Sequence, residues 1–217
     1  MRIVVTAGPT REPIDPVRFI SNRSSGKMGY AIAEAAINDG HDVTLISGPV
    51  CLARPARTSF VSIATSDELH REVMARLDRC DVLVMCAAVA DYKPTTVNER
   101  KTRKSAELFA LELTPTVDVL ASVGSHARNT FVVGFAAETH DLEKHAREKL
   151  AKKNCDMIVG NDVSRGDSGM ESDENEVVIF TREGEMTRIA RAPKKNIARE
   201  LMKIICADAK KVLTKKT

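Results

Sequence analysis

From Arg2 to Asp162 the chain alternates short aliphatic, β-branched runs with segments of helical periodicity, and this rhythm narrows the possible folds more than any other feature. Arg2–Thr6 (RIVVT) is closed by Gly8-Pro9; Gly26–Asp39 follows, with Met28, Ile32, Ala35 and Ala36 at helical spacing and Gly40 as its stop. His41–Ser47 and Ser59–Ala64 are the next strands, and Ser66-Asp67-Glu68 opens a helix that runs to Leu77. Asp81–Val89 (DVLVMCAAV) is apolar without alternation, as expected of a strand covered on both faces in the middle of a parallel sheet. A helix near Thr116–Val123, a strand at Thr130–Glu138, a helix at Asp141–Lys153 and a strand at Cys155–Asp162 continue the pattern. The prediction is an α/β, Rossmann-like, doubly wound, mostly parallel sheet.

After Asn161 the pattern changes. A polar loop, Ser164–Glu176, leads to Val177–Phe180 and Met186–Ile189 around Arg182-Glu183-Gly184-Glu185, which predicts a β-hairpin appended to the sheet. The last helix, Lys194–Ala209, carries Ile197, Leu201, Ile204 and Ile205 on one face. No repeat or low-complexity linker divides the chain, so a single domain is expected over 1–209, with 210–217 as a basic, flexible, solvated tail bearing Lys210, Lys211, Lys215 and Lys216.

At 217 residues, with 43% hydrophobic and 29% charged residues, the chain can bury an ordinary globular core. No run approaches the roughly 18 apolar residues of a membrane span. Met1–Thr6 enters the first strand with no signal segment, so a cytoplasmic location is expected, with no membrane partner. A net charge of +3 gives no argument for a nucleic-acid partner. Cys51, Cys80, Cys86, Cys155 and Cys206 are odd in number and scattered, mostly in apolar runs; they are expected to be buried reduced thiols, and no CxxC or Cys/His cluster suggests zinc.

Open parallel sheets bind ligands beyond the carboxyl ends of their strands. The loop after the first strand, Thr6–Gly29, is far longer than a usual βα connection, holds Arg11, Arg18 and Arg23, and ends in Ser24-Ser25-Gly26-Lys27 at a helix N-terminus. Unpaired N–H groups and the positive end of the helix dipole make that terminus either a phosphate site or a plain capped helix. It is neither a Walker A loop nor a compact GxGxxG turn. In Cys86–Pro94 (CAAVADYKP), Ala87 and Ala88 leave room for a flat group, while Asp91 either meets a ligand amine, hydroxyl or magnesium ion or caps a turn. The cluster Arg100-Lys101-Thr102-Arg103-Lys104 suits a triphosphate or is simply solvated. Phe135 is a base-stacking ring or a core residue, and Lys149 with Lys153, four apart on one helical face, reach one phosphate chain or face solvent.

Taken together, TAGPTREPIDPVRFISNRSSGKMG, SGPV (Ser47–Val50), CAAVADYKP, KTRK (Lys101–Lys104), VVGFAAET (Val132–Thr139) and GND (Gly160–Asp162) resemble bacterial phosphopantothenoylcysteine synthetase, in order along essentially the whole chain. The resemblance implies a ligase of coenzyme A biosynthesis. In it 4′-phosphopantothenate attacks the α-phosphate of CTP to give an acyl-cytidylate and pyrophosphate, and the amine of L-cysteine then displaces CMP. It implies Asn22 as the residue holding the acyl-cytidylate and Lys101 as the residue serving the nucleotide and the conversion of the intermediate. It further implies a nucleotide site at Ala87, Ala88, Asp91, Lys101, Val117, Asp118, Val119, Leu120, Phe135, Lys149 and Lys153, and a substrate site at Arg18, Asn22, Ser24, Ser25, Gly26 and Lys27. Mg²⁺ is expected to arrive with CTP, with no metal held by the protein itself. A homodimer is implied, the second subunit helping to close the pantothenate site.

Two departures from the family pattern stand out: Arg103 replaces a lysine of KxKK, and Thr116-Val117-Asp118-Val119 stands where many members read NPDI. The family is often fused behind a flavin-dependent phosphopantothenoylcysteine decarboxylase. This sequence is expected to be either a free-standing synthetase or an excised half, without bound FMN, with the decarboxylase as a partner domain or protein. The rival readings are a short-chain oxidoreductase and a non-catalytic nucleotide-binding module. The first lacks its Tyr-x-x-x-Lys pair, since Tyr30 and Tyr92 are followed four residues on by Glu34 and Thr96.

Overall fold

The computed structural model describes residues 1–104, 108–126, 129–138, 140–162 and 172–214. β1 (Arg2–Ala7) is followed by a ribbon of β2 (Arg11–Pro13) and β3 (Phe19–Ser21), then α1 (Lys27–Asn38), β4 (Asp42–Ser47), β5 (Ser59–Ser62) and α2 (Ser66–Met74). β6 (Val82–Met85) leads to a second ribbon, β7 (Tyr92–Pro94) with β8 (Leu113–Pro115), and then to α3 (Val119–Ser125). β9 (Phe131–Glu138), α4 (Leu142–Lys152), β10 (Met157–Asp162), β11 (Glu174–Thr181), β12 (Met186–Pro193) and α5 (Lys194–Thr214) complete the chain.

The main sheet has eight strands in the order β12-β11-β10-β9-β6-β1-β4-β5. β5, β4, β1, β6, β9 and β10 pair in parallel, and β11 and β12 close one edge as an antiparallel hairpin. The predicted α/β, doubly wound sheet with an appended hairpin and helix is therefore the observed architecture. Side chains alternate between two cores. Ile3, Val5, Val82 and Val84 face α1 and α5, while Val4, Leu83 and Met85 face α2, α3 and α4. Val82, Leu83 and Val84 are at most 1% exposed. Each such side chain contributes about 1.5–3 kcal/mol by leaving water, which is why the central strand reads as an unbroken apolar run. α1 lies so close to β1 that a Cβ on Gly29 would stand 2.6 Å from that of Ala7.

Several element ends differ from the sequence expectation, each for a local reason. β6 stops at Met85 rather than Val89, because the N–H groups of Cys86 and Ala87 donate to Thr6 Oγ1 (3.1 and 3.0 Å) instead of to a neighbouring strand. α3 starts at Val119 rather than near Thr116: Thr116 is held by its N–H to Asp91 O (2.9 Å) and its hydroxyl to Ala90 O (2.6 Å), and Asp118 caps the helix through Ala121 N–H at 2.9 Å. α2 starts at Ser66 as expected, with Thr65 as its cap, but ends at Met74 rather than Leu77, which opens a separate 3-10 turn. α5 runs past Ala209 to Thr214, with Val212 and Leu213 packed against the core and Lys211 paired with Asp208 at 2.8 Å; Lys210 and Lys211 are thus helical, and Lys215 and Lys216 lie outside the described residues. Most of the expected loop Ser164–Glu176 is also outside the described residues, and β11 already begins at Glu174. Cys80 and Cys155 are buried as expected, Cys86 and Cys206 half-buried, whereas Cys51 is exposed; none of the five is in a disulfide among the described residues. Among the described residues, no helix is long and apolar enough to cross a membrane.

Candidate active site

The loops that follow β1 and β6 interlock above the carboxyl edge of the sheet. Ala88 N–H donates to Gly8 O (2.9 Å), Thr10 N–H to Ala88 O (3.1 Å), and Ala90 N–H to Thr10 Oγ1 (3.0 Å). These bonds hold Ala87–Ala90 across the strand tips as one side of a cavity of about 640 Å³, which the end of β9 and the start of α3 close on the other side. Of the residues singled out by sequence, Asn22, Ser24, Gly26, Lys27, Ala87, Ala88 and Asp91 line this cavity, as do Val117, Asp118, Val119, Leu120, Phe135, Lys149 and Lys153.

The α1 side is built on glycine. Gly26, the N-cap, sits at φ 75 and Gly8 at φ 71, in the left-handed region that a side chain disfavours. A Cβ on either would also stand within 2.9 Å of Val50 Cγ1, so the Ser47–Val50 turn seats directly on the loop. α1 has no side-chain cap, and its first turn, Lys27, Met28 and Gly29, forms part of the cavity wall. Asn22 bridges from this loop to the next, its Nδ2 donating to Val89 O at 2.9 Å.

The opposite wall is a set of charges. Lys149 Nζ, in a largely buried side chain, donates to Phe135 O at 2.7 Å, and burial pulls its pKa down from the ordinary lysine value, against the pull of Glu138. Lys153 pairs with Asp118. Desolvation pushes the Asp118 carboxyl up, but the Lys153 ammonium and the Ala121 N–H outweigh it and hold the group below its usual range. The exposed Asp91 carboxylate has no hydrogen-bond partner among the described residues. Phe135 is half-buried, with one side on the core and one on the cavity. In all, Lys27, Lys149, Lys153 and Lys194 stand against Asp91 and Asp118 on the wall, a surplus of cations that favours an anionic guest.

Among the wall residues not named as candidates from sequence, three are polar and buried. Asn161, at the tip of β10, is 8% exposed, and its Oδ1 has no partner among the described residues. Asn175 (2% exposed) and Lys194 (5% exposed) come from the hairpin and the start of α5. Lys194 Nζ donates to Ser172 O; burial and the nearby Lys27 lower its pKa. The rule that strand tips carry ligands would have flagged Asn161, since it lies in the GND segment; nothing in the sequence marks Asn175 or Lys194.

Arg18, Ser25 and Lys101 are not on the wall. Arg18 is bound to Asp15 and donates to Thr102 O at 3.0 Å, so it belongs with the basic loop rather than the cavity of its own chain. Lys101 is exposed, next to Thr102, whose N–H donates to Asp15 Oδ2 at 3.2 Å.

The family model described as DNA/pantothenate metabolism flavoprotein C-terminal domain matches residues 1–208. The coenzyme A biosynthesis bifunctional protein CoaBC of Bacillus subtilis (strain 168) is 44% identical over 209 residues, covering 96% of this chain and 52% of that protein. Its counterpart in Vibrio cholerae serotype O1 is 47% identical over 187 residues, covering 85% of this chain and 47% of that one. The chain thus spans about half the length of these relatives. A crystal structure of the C-terminal domain of CoaBC superposes with a TM-score of 0.81 at 41% identity, covering 94% of this chain and 93% of that one. The chain therefore belongs to the DNA/pantothenate metabolism flavoprotein C-terminal domain family, the phosphopantothenoylcysteine synthetase half of the bifunctional coenzyme A biosynthesis proteins.

Proposed function

We infer that this cavity joins 4′-phosphopantothenate to L-cysteine at the expense of CTP. The observation that carries the reading is the gathering of Asn22, the α1 N-terminus, Ala87, Ala88, Asp91, Lys149 and Lys153 around one cation-rich cavity, in a chain whose family is that of the CoaBC C-terminal domain.

The chemistry proceeds in two steps. A carboxylate oxygen attacks the α-phosphorus of CTP, the bond to the bridging oxygen breaks, and pyrophosphate leaves. The cysteine nitrogen then attacks the acyl carbon, loses a proton, and CMP departs. A free carboxylate repels nucleophiles, and the mixed anhydride supplies the leaving group it lacks. The Lys149 and Lys153 ammonium groups attract the triphosphate, and Ala87 and Ala88 leave room for a flat ring, with Phe135 beside it. Val117, Asp118, Val119 and Leu120 border the phosphate chain at the start of α3, and Asp91 meets a polar group of the nucleotide. Asn22, anchored to Val89 O, holds the acyl-cytidylate, while Ser24, Ser25, Gly26 and Lys27 receive the phosphorylated acid. Mg²⁺ enters as the counterion of CTP.

Arg18 and Lys101 fit this reading through a homodimer, in which the ribbon region of each subunit completes the site of the other. Support comes from the ribbons and adjoining loops, where Val17, Phe19, Tyr92, Val97 and Leu113 are exposed apolar side chains and the Arg18 guanidinium lies over the Phe109 ring at 6.0 Å. A flavin-dependent decarboxylase, as a domain or separate protein, would consume the product.

The test is pyrophosphate release with CTP, ATP, GTP and UTP in parallel. Release is expected with CTP and phosphopantothenate, and CMP with the cysteine amide once cysteine is added. Asn22→Asp is expected to block product formation with an unchanged circular-dichroism spectrum. CTP binding without pyrophosphate release would turn the protein into a nucleotide-binding module and sink the ligase reading.

A further inference from the structure

Where β9 passes into α4, beyond the residues that line the cavity, His140, Asp141 and His145 each offer one ligand atom, and the three atoms lie within 4.8 Å of one another. We propose that these residues bind a divalent transition-metal ion of the zinc class, at a site separate from the nucleotide and its magnesium.

Local folding brings the three together. Asp141 is the N-cap of α4, in the left-handed region at φ 49; its carbonyl accepts the N–H of His145 at 3.0 Å, and its carboxylate lies within 4.8 Å of the His145 ring nitrogen. The His140 ring meets the His145 ring edge-on, with centroids 5.1 Å apart and planes at 83°. His145 Nδ1 stands 3.2 Å from Glu138 Oε2 at the end of β9. A carboxylate there selects the tautomer with the proton on Nδ1, leaving the Nε2 lone pair for a metal. Metal-bound histidines are commonly oriented by a carboxylate in this way.

The donor set defines the ion. Two imidazoles and one carboxylate suit Zn²⁺, Co²⁺ or Ni²⁺, whereas Mg²⁺ and Ca²⁺ prefer oxygen alone. The carboxylates of Asp141 and Glu138 offset the ion's two charges. Bonds of about 2.0–2.2 Å to a tetrahedral ion place ligand atoms about 3.4 Å apart. The three atoms must therefore close by an ångström or so, which side-chain rotation supplies because His140 and Asp141 are exposed. Water fills the fourth position. The bound ion ties the end of β9 to the first turn of α4, the helix that carries Lys149 further along.

The experiment is titration of the untagged, chelator-treated full chain with Zn²⁺ by calorimetry and with Co²⁺ by visible absorption. One saturable equivalent is expected, with the d–d bands of tetrahedral Co²⁺ and no thiolate charge-transfer band. His140→Ala and His145→Ala should each abolish this binding, and Glu138→Gln should weaken it roughly ten- to a hundredfold. Unchanged affinity in both histidine variants, no saturable binding, or a charge-transfer band assigning the ion to cysteine would each overturn the proposal. If His145→Ala unfolds by circular dichroism, His140→Ala, at an exposed bend, decides the matter. None of these readouts depends on ligase turnover.

Discussion

At the scale of single residues, Asp15 shows how one charge organises a loop that has almost no secondary structure. Its carboxylate, 3% exposed, accepts from the N–H groups of Val17 and Arg18 (both 2.9 Å), from the N–H of Thr102 (3.2 Å) and from the Arg18 guanidinium. The Arg18 hydrogen bond, outweighing desolvation, holds this carboxyl well below the usual range. A carboxylate with a depressed folded pKa contributes stability that is fully present above its unfolded value, about 4, and is lost as pH falls through that value towards the folded one. Asp15→Asn is therefore expected to lower the urea midpoint near pH 7 and to show a smaller deficit near pH 3, since the contribution starts to fall below the unfolded value and is gone only beneath the folded one; an equal deficit at both would show that the charge is not what matters. Lys149 has the opposite sign. Burial lowers its pKa, so its ammonium opposes folding at neutral pH, and stability rises as pH climbs through its folded value towards the unfolded one, about 10.4. Lys149→Met should leave the melting temperature unchanged or raised while increasing KM for CTP about tenfold or more, the scale of a lost bond to a charged group. A drop in melting temperature with normal KM would make Lys149 structural. Residues in dense motifs, such as Asn22 and Lys27, were legible in the sequence as candidates. Asn175 and Lys194 were not, because they reach the wall only after the hairpin folds back on the parallel sheet.

At the scale of elements, periodicity was sufficient to predict every strand of the main sheet and the five α-helices among the described residues, while most of their ends depended on bonds that sequence spacing does not reveal. α2 is the exception that proves instructive. Its capping box is purely local: Glu68 N–H donates to Thr65 Oγ1 at 3.2 Å, and Thr65 N–H to Glu68 Oε2 at 3.3 Å. Thr65→Ala is expected to cost about 1 kcal/mol in denaturant unfolding, with Thr65→Ser restoring most of it. Equal losses in the two variants would assign the effect to packing instead. β6, by contrast, ends where Thr6 takes up the N–H groups of Cys86 and Ala87 from a strand about 80 positions away in sequence. The two small ribbons, β2-β3 and β7-β8, also escaped periodicity, since three-residue strands are too short to show an alternation.

At the scale of the whole molecule, the ribbons and their loops expose Val17 (58%), Phe19 (46%) and Tyr92 (53%), the kind of clustered apolar surface that marks an interaction site. On the homodimer proposal, the purified chain should sediment as a dimer and Phe19→Asp should shift it to monomer, with turnover falling in step because Arg18 and Lys101 would no longer reach the opposite cavity. A fully active monomer would refute the shared site. The sequence by itself determined the sheet, the helices on its faces and the loops at its carboxyl edge, because period-two and period-3.6 patterns and glycine turns are short-range properties written in neighbouring residues. Only the tertiary structure decided that Asn175 and Lys194 join the cavity wall, that Arg18 leaves it for Asp15, and that His140 and His145 face one another. Those outcomes depend on where the sheet brings together segments remote in sequence, or on how a backbone turn aims its side chains, and neither quantity is encoded in local spacing.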